Sequence, residues 1–203
     1  MLTGIKEKPE IVYLGGEAEV RIYRDFVTKT RKKKGYRIAV LDKILRRTRT
    51  RSEAKIMSAA RRAGIPTPLI LDVERETIVM ERIEGEPLKK IMSTELSRLL
   101  GIYVAKLHQA GIIHGDITPM NLIYSDGKIY FIDFGLAFYD ARTEPRGVDI
   151  HIYFESLKAY FENWRELKES FISGYRGFDK AEEVLKRAEE IDKRGRYVEK
   201  RMT

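Results

Sequence analysis

The sequence of 203 residues contains no cysteine and only three histidines. The absence of cysteine excludes disulfide bonds, thiolate zinc sites and a cysteine nucleophile, and the three histidines are not spaced like metal ligands. Any bound metal is therefore expected to be Mg²⁺ held by oxygen atoms. No apolar run reaches about 18 residues and the N-terminus is polar, so we expect no membrane span, no signal peptide and a cytoplasmic location.

Positive charge is concentrated in two places in a chain whose net charge is +8. Residues 28–51 contain eleven Lys or Arg residues and one acidic residue, Asp42. The second basic cluster closes the chain and consists of Lys193, Arg194, Arg196, Lys200 and Arg201. Such clusters can bind the phosphates of a nucleic acid or an acidic protein. They are equally compatible with solvated surfaces of a charge-rich protein, so both interpretations remain open.

The hydrophobic pattern predicts an α+β protein that divides near residue 85. Before it, alternating apolar residues predict a small sheet of short strands and one helix, residues 52–63. The strands are predicted at 11–14, 19–23, 25–30, 69–73 and 77–80. Because Gly85 and Pro87 interrupt the pattern, we predict a first domain of residues 1–84 and a second of residues 85–191, followed by a basic tail, 192–203.

The second half is predicted to be mainly helical. Helical spacing of apolar residues indicates helices at 93–110 and 148–175 and a last helix from about residue 179. A short hairpin, residues 122–132, lies between the first two of these helices. The whole pattern predicts a small sheet lobe followed by a reduced, mainly helical lobe.

Two acidic motifs on either side of that hairpin carry the chemistry. The first is His114-Gly115-Asp116, with Asn121 five residues after the aspartate, and the second is Asp133-Phe134-Gly135. In phosphoryl transfer, one carboxylate orients the nucleophile and can accept its proton, which is the role predicted for Asp116. Amide and carboxylate oxygens bind Mg²⁺ beside the phosphates, so Asn121 and Asp133 are predicted metal ligands.

The first half should then hold ATP, which requires a backbone loop, a lysine and an acid that positions the lysine. The predicted residues are the loop Leu14, Gly15, Gly16, Glu17 and Ala18, the lysine Lys29, the acid Glu53, and Glu81 and Ile83, whose backbone would meet adenine. The loop, the lysine and the acid each have an alternative: the loop could be a plain hairpin turn, and the lysine could be one of Lys32 to Lys34. Glu53 could be a surface residue in the first turn of its helix.

Two further residues are predicted to support the catalytic loop. His114 is expected to pack and hydrogen-bond beneath the Asp133 loop rather than act as a base. Asp149 could accept backbone N–H groups of the catalytic loop, or it could simply cap the helix that follows.

Together these residues resemble the small atypical kinase of the KEOPS complex in its free-standing archaeal form, and the resemblance covers nearly the whole chain. The segments that carry it are Gly15 to Ala18, Lys29 with Lys34-Gly35-Tyr36-Arg37, Arg49 to Ala54, His114 to Asn121, Asp133 to Gly135, Val148-Asp149 and Arg194-Gly195-Arg196. The loop reads Gly-Gly-Glu-Ala, where this family usually has Gly-Ala-Glu-Ala.

The motifs and the resemblance imply a minimal bilobal protein-kinase-like fold. The resemblance also implies ATP and Mg²⁺ as cofactors, and ATP hydrolysis or Ser/Thr phosphorylation in a complex that makes threonylcarbamoyladenosine in tRNA. It implies the threonylcarbamoyl-transferase subunit and other KEOPS subunits as partners, with tRNA at the basic clusters and tail. The alternatives are a small-molecule kinase or a RIO-like kinase, both of which share single motifs, and a scaffold that binds ATP without turnover. Only thirteen residues separate Gly135 from Asp149, which leaves no room for a long activation loop and favours an ATPase or a partner-dependent kinase.

Overall fold

Five short strands form an antiparallel sheet in the first half of the chain. The computed structural model describes residues 8–202, without the side chains of residues 195–202. The strands are β1 (Ile11–Leu14), β2 (Ala18–Ile22), β3 (Phe26–Arg31), β4 (Ile70–Glu74) and β5 (Thr77–Glu81). Their order in the sheet is β1-β2-β3-β5-β4, so the strand that carries Lys29 lies in the centre.

The helix of this half, α1 (Ala39–Arg62), is 24 residues long and begins thirteen residues before the predicted start. The prediction of residues 52–63 depended on apolar periodicity, and between Ala39 and Arg51 the helix buries only Asp42 and Thr50. This stretch is rich in Arg, Lys and Leu, which favour helix without marking a buried face. Gly64 follows with φ +82°, a conformation that ends helices.

The second half contains five helices and short strands among the described residues. The helices are α2 (Leu88–Ile91), α3 (Thr94–Gln109), α4 (Thr143–Tyr160), α5 (Trp164–Tyr175) and α6 (Ala181–Met202). The predicted helix 148–175 is therefore two helices, because Phe161 adopts an extended backbone between them. Lys193 and Arg194 lie on α6, and the tail side chains Arg196, Lys200 and Arg201 lie outside the described residues.

Short strands connect the helical half to the rest of the fold. They are β6 (Glu86–Pro87), β7 (Ile112–Ile113), β8 (Leu122–Ser125), β9 (Lys128–Phe131) and β10 (Phe138–Tyr139). β6 pairs with β8, and β8 with β9, while β7 pairs with β10. The predicted division after residue 84 stays a prediction, whereas the α+β fold class, with a sheet followed by a mainly helical region, is confirmed.

One continuous apolar core connects both halves. Met57 on α1 and Met80 on β5 belong to the same buried cluster as Leu100 on α3, Phe131 on β9 and Phe134. Burial of such side chains is worth about 1.5–3 kcal/mol each, so the core supports the elements that present the acidic motifs. Within the described residues, no helix has the length and apolar character needed to cross a membrane.

Candidate active site

The first acidic motif lies in the loop that leaves β7. Gly115 has φ +81°, and a Cβ at this position would lie 2.6 Å from the backbone oxygen of Leu136. Both features require glycine, because a side chain would be strained and would collide with the segment after the second motif. The glycine therefore lets the two acidic motifs approach each other closely.

Asp116 and Asn121 are joined by direct hydrogen bonds. The Asn121 Nδ2 atom donates to Asp116 Oδ2 at 2.8 Å and to the Asp116 carbonyl at 3.1 Å. A short 3₁₀ turn, Pro119–Asn121, closes the loop between them. Because the amide nitrogen faces two Asp116 oxygens, the amide oxygen Oδ1 points away from Asp116.

The β8–β9 hairpin brings Asp133 to the same place. Leu122 pairs with Phe131 in the hairpin, and the Ile132 N–H donates to the Asn121 carbonyl at 3.1 Å. Asn121 and Asp133 therefore flank neighbouring ends of two paired strands. The Gly135 N–H donates to Asp133 Oδ1 at 2.8 Å and fixes the carboxylate.

Lys29 bridges the sheet and this loop. Its Nζ atom lies 2.7 Å from Glu53 Oε1 and 2.7 Å from Asp133 Oδ1. Burial disfavours the charged amine, but the carboxylates of Glu53 and Asp133 outweigh it and raise the pKa of Lys29. Burial likewise opposes ionisation of Asp133, yet the Lys29 charge and hydrogen bond lower the pKa of that carboxyl. The pair is thus charged at neutral pH.

Glu53 does not lie in the first turn of a helix, as the alternative reading held. It is a buried residue in the middle of α1, and the side chain of Arg31 donates to its second oxygen, Oε2. Arg31 is also buried, and its Nε atom has no hydrogen-bond partner among the described residues. Sequence reasoning missed Arg31, although its position two residues after Lys29 on a strand places both on one face.

The predicted phosphate loop forms the turn between β1 and β2. The Gly15 N–H donates to the Ala18 carbonyl at 3.0 Å, and Lys34 Nζ donates to the Gly16 carbonyl at 2.7 Å. Glu17 pairs with Lys34 at 2.9 Å. Lys34 therefore supports the turn, while Lys29 is the lysine that contacts Asp133. None of the residues from Leu14 to Ala18 lines the cleft that lies between the sheet and the β8–β9 hairpin, so their contact with ATP stays a prediction.

A cleft of about 710 Å³ lies between the sheet and the β8–β9 hairpin. Apolar side chains from both halves, Val20, Val27, Met80, Met120, Ile123 and Ile132, line it together with Lys29, Asn121 and Asp133. Glu81 and Ile83 also line the wall. The Glu81 N–H already donates to the Leu69 carbonyl at 2.8 Å, so an adenine contact at Glu81 would use its carbonyl.

Asp149 holds the catalytic loop from below. Its two oxygens accept the N–H groups of His114 and Gly115, each at 2.7 Å. Asp149 lies within α4 rather than at its start, so the helix-cap alternative is wrong. His108 Nε2 lies 3.3 Å from the same carboxylate, and His108 Nδ1 lies 2.7 Å from the Tyr175 hydroxyl.

His114 is buried against the rings of Phe131 and Phe134. Its Nδ1 atom accepts the Asp116 N–H at 3.4 Å, and burial lowers the pKa of the ring. A neutral, enclosed imidazole of this kind supports the loop and has no access to a substrate proton. The geometry therefore agrees with a packing role for His114.

The donor atoms around Asp133 suit Mg²⁺. This ion prefers hard oxygen ligands and commonly takes one or two protein oxygens together with phosphate oxygens and water. Asn121 Oδ1 and the Asp133 carboxylate supply oxygen donors at neighbouring strand ends, and both residues line the cleft. The residues present thus fit a magnesium ion bound together with a nucleotide.

Comparison with known proteins places the chain among kinase-like proteins. The family model described as RIO domain matches residues 15–146. The Rio2 kinase of Chaetomium thermophilum, solved as an ADP/Mg²⁺-phosphoaspartate complex, superposes with a TM-score of 0.64 at 17% identity, covering 92% of this chain and 71% of that one. This likeness concerns the fold.

Sequence relatives are much closer. The "Probable serine/threonine-protein kinase BUD32 homolog" of Archaeoglobus fulgidus is 64% identical over 174 residues, which cover 86% of this chain and 89% of the relative. The "KEOPS complex subunit Bud32" of Pyrococcus abyssi is 38% identical, with 86% and 90% covered. A "Probable bifunctional tRNA threonylcarbamoyladenosine biosynthesis protein" of Methanoculleus marisnigri is 49% identical, and the chain spans 33% of its length.

Proposed function

The chain belongs to the RIO-domain family and, within it, to the Bud32 kinases, and on this premise we propose an ATP-dependent phosphotransferase or ATPase that acts in tRNA threonylcarbamoyladenosine formation. The observation that carries the proposal is the constellation of Asp116, Asn121 and Asp133 at one end of a cleft that also contains Lys29. A single acidic turn would not need these four groups together.

Each side chain takes a role that follows from its position. Asp116 orients a hydroxyl or water nucleophile and accepts its proton, while Asn121 holds Asp116 in place by its amide. Lys29, fixed by Glu53, contacts the phosphates of ATP. Asn121 and Asp133 would hold Mg²⁺, which, when bound, offsets charge on the β- and γ-phosphates.

The acceptor is proposed to be water, or a Ser/Thr hydroxyl presented by a partner. Between Gly135 and the start of α4 at Thr143 lies one short strand, β10, which pairs with β7. This segment offers little surface for an extended peptide. The names of the relatives refer to the KEOPS complex and to tRNA threonylcarbamoyladenosine biosynthesis. With the resemblance described above, they support our proposal that the partners are the threonylcarbamoyl-transferase subunit, other KEOPS subunits and tRNA.

Replacement of Asp116 by asparagine tests the catalytic role. We expect ATP turnover by Asp116→Asn to fall by about 10²- to 10⁴-fold, because the proton acceptor is lost, while ATP binding is retained. The measurement is the rate of phosphate release with and without tRNA and partner subunits. Asp126→Asn, at an exposed turn in the β8–β9 hairpin, is the matched control. Equal rates for Asp116→Asn and the wild type would exclude the proposed catalysis.

A further inference from the structure

Helices α4 and α6 pack side by side and run in the same direction. Near the start of α4, a Cβ at Gly147 would lie only 3.3 Å from the backbone nitrogen of Ala188 on α6. Further along both helices, Lys158 Nζ donates to Asp192 Oδ1 at 2.9 Å. His151 follows Gly147 by four residues, and Asp192 follows Ala188 by four residues. Because four residues make about one turn of either helix, the close packing brings His151 level with Asp192.

One imidazole and two carboxylates meet at this level. His151 and Glu155 lie four residues apart on α4 and therefore share a face, which Asp192 meets from α6. One ligand atom of each residue lies within 4.8 Å of those of the other two. No other three His, Asp or Glu side chains come together in this way within the part of the chain that the structure describes. The spacing along the sequence gave no sign of this group, because Asp192 stands 41 residues after His151.

A cavity of about 10 Å³ lies beside this cluster. Two of the three ligand residues line it together with side chains from α4, α5 and α6: His151, Asp192, Phe154, Lys158, Lys168, Ala188 and Glu189. This volume is about what a single water molecule needs, so it has room for one ion without a hydration shell. The His151 imidazole makes no hydrogen bond with any residue that the structure describes, so its ring nitrogens are available to such an ion.

A cation already balances the two carboxylates. Lys158 Nζ lies 2.6 Å from Glu155 Oε1 and 2.9 Å from Asp192 Oδ1. Lysine carries its charge on a flexible four-carbon stem, so the ammonium group can move into solvent when another cation takes its place. A divalent ion brings twice the charge of Lys158 and can bond to His151 as well as to both carboxylates.

We propose that His151, Glu155 and Asp192 bind one Zn²⁺ ion between α4 and α6, in place of the Lys158 ammonium group. Zn²⁺ accepts an imidazole nitrogen and carboxylate oxygens at about 2.0–2.2 Å and can complete a tetrahedral site with water. Mg²⁺ prefers oxygen ligands only, so the imidazole selects against it. None of the three residues lines the ATP cleft, so this site is separate from the proposed magnesium site at Asp133. The ion would fasten α6 to α4, the helix that carries Asp149.

Replacement of His151 by glutamine tests the nitrogen ligand. Isothermal titration calorimetry of the full chain with Zn²⁺, in excess Mg²⁺ to occupy the ATP cleft, should show one zinc ion bound by the wild type. His151→Gln should weaken this binding at least about tenfold, since loss of even an outer-shell partner of a metal ligand typically costs 10- to 100-fold. Circular dichroism and the melting temperature without Zn²⁺ should stay close to wild-type values, because His151 makes no hydrogen bond with the described residues that the change would break.

Replacement of Lys158 by methionine should have the opposite effect. Lys158→Met removes the cation that competes with Zn²⁺ for Glu155 and Asp192, so zinc affinity should rise by at least about threefold. Lys128→Met is the control, because it removes an exposed lysine from the β8–β9 hairpin and should leave zinc affinity unchanged. Zn²⁺ should also raise the melting temperature of the wild type and of Lys158→Met, but not that of His151→Gln, because only a bound ion stabilises the folded chain.

Three outcomes would overturn the zinc site: equal zinc affinity of His151→Gln and the wild type, weaker binding by Lys158→Met, or displacement of Zn²⁺ by Mg²⁺. The result does not depend on the ATP cleft, since Asp133→Asn should bind Zn²⁺ at this site like the wild type. Opposite effects of His151→Gln and Lys158→Met would therefore support the site even if Asp116→Asn retained full ATP turnover.

Discussion

At the residue scale, Glu53 is held by two cations rather than one. Lys29 Nζ contacts Oε1 of Glu53, and the Arg31 guanidinium contacts Oε2, with all three side chains buried. Two independent partners keep the carboxylate directed toward the sheet even when one of them shifts. The position of Glu53, and through it that of Lys29, is thus built into the fold rather than dependent on a long activation segment.

Loss of Arg31 should therefore affect both stability and turnover. We expect Arg31→Met to lower the free energy of unfolding by about 1.5–3 kcal/mol, because a hydrogen bond to a buried charged group is lost. kcat/KM for ATP should fall about tenfold or more, since Glu53 can then turn away from Lys29. Urea denaturation and steady-state kinetics measure the two effects.

Arg21→Met is the matched control for Arg31→Met. Arg21 lies on the neighbouring strand β2 and pairs with Glu19, but it is exposed, and exposed pairs contribute about 0–1 kcal/mol. Equal effects of the two substitutions would contradict a special role for Arg31.

At the element scale, α3 and α5 approach each other through two glycines. A Cβ at Gly101 would lie 2.2 Å from the Phe171 carbonyl oxygen, and one at Gly174 would lie 2.0 Å from the Arg98 carbonyl oxygen. These distances are far below van der Waals contact, so any side chain would force the helices apart. The same packing positions Tyr175 against His108, and His108 contacts Asp149, the residue that holds the catalytic loop.

Gly101→Ala should destabilise the protein in spite of alanine's better helix propensity. Propensity favours alanine by up to about 1 kcal/mol, whereas overpacking typically costs about 1–3 kcal/mol. The clash involves backbone rather than a flexible side chain, so we expect a net loss of about 2 kcal/mol in the free energy of unfolding by urea denaturation. Gly35→Ala is the control, because no atom lies within 4 Å of its Cβ position. A Gly101→Ala protein as stable as the control would refute the close approach.

At the scale of the whole molecule, the cleft takes its walls from both halves of the chain. Val20 and Val27 come from the sheet, while Met120 and Ile132 flank the β8–β9 hairpin. A ligand that fills the cleft makes contacts with both halves, so it should stabilise the native state as a unit. Lys29 and Asp133 already join the two halves at the polar end.

A non-hydrolysable ATP analogue with Mg²⁺ should consequently raise thermal stability. At a ligand concentration of 100 times Kd the gain is about 2.7 kcal/mol, which corresponds to roughly 5–10 °C for a chain of this size. Chelation of Mg²⁺ should remove most of this shift in the wild type, as should Asp133→Asn in the presence of Mg²⁺, because a charged oxygen ligand is lost. Differential scanning fluorimetry measures the shift. Asp126→Asn should retain it in full, and a Mg²⁺-independent shift would argue against a metal at Asp133.

Family membership, the α+β fold class and the kinase chemistry were predictable from the sequence, and comparison with relatives confirms them. They were predictable because phosphoryl transfer requires particular residue types at short spacings along the chain. Asp116 stands five residues before Asn121, and Asp133 stands two residues before Gly135. The structure brings Asp116, Asn121, Asp133 and Lys29 to one cleft, and their roles as site residues stay predictions.

The parts that the sequence left undetermined are set by contacts between distant segments. The start of α1 was missed because its first turns bury almost no apolar side chain, and Arg31 was missed because its partner lies 22 residues away on that helix. The sequence also left open which cations of residues 28–51 are exposed, and folding pairs seven of the eleven with Glu17, Asp42, Glu53 and Glu76. Residue types thus determined which chemistry this chain can perform. Only the tertiary structure decided which charges are neutralised and which remain exposed, because ion pairing depends on distances in space rather than along the chain.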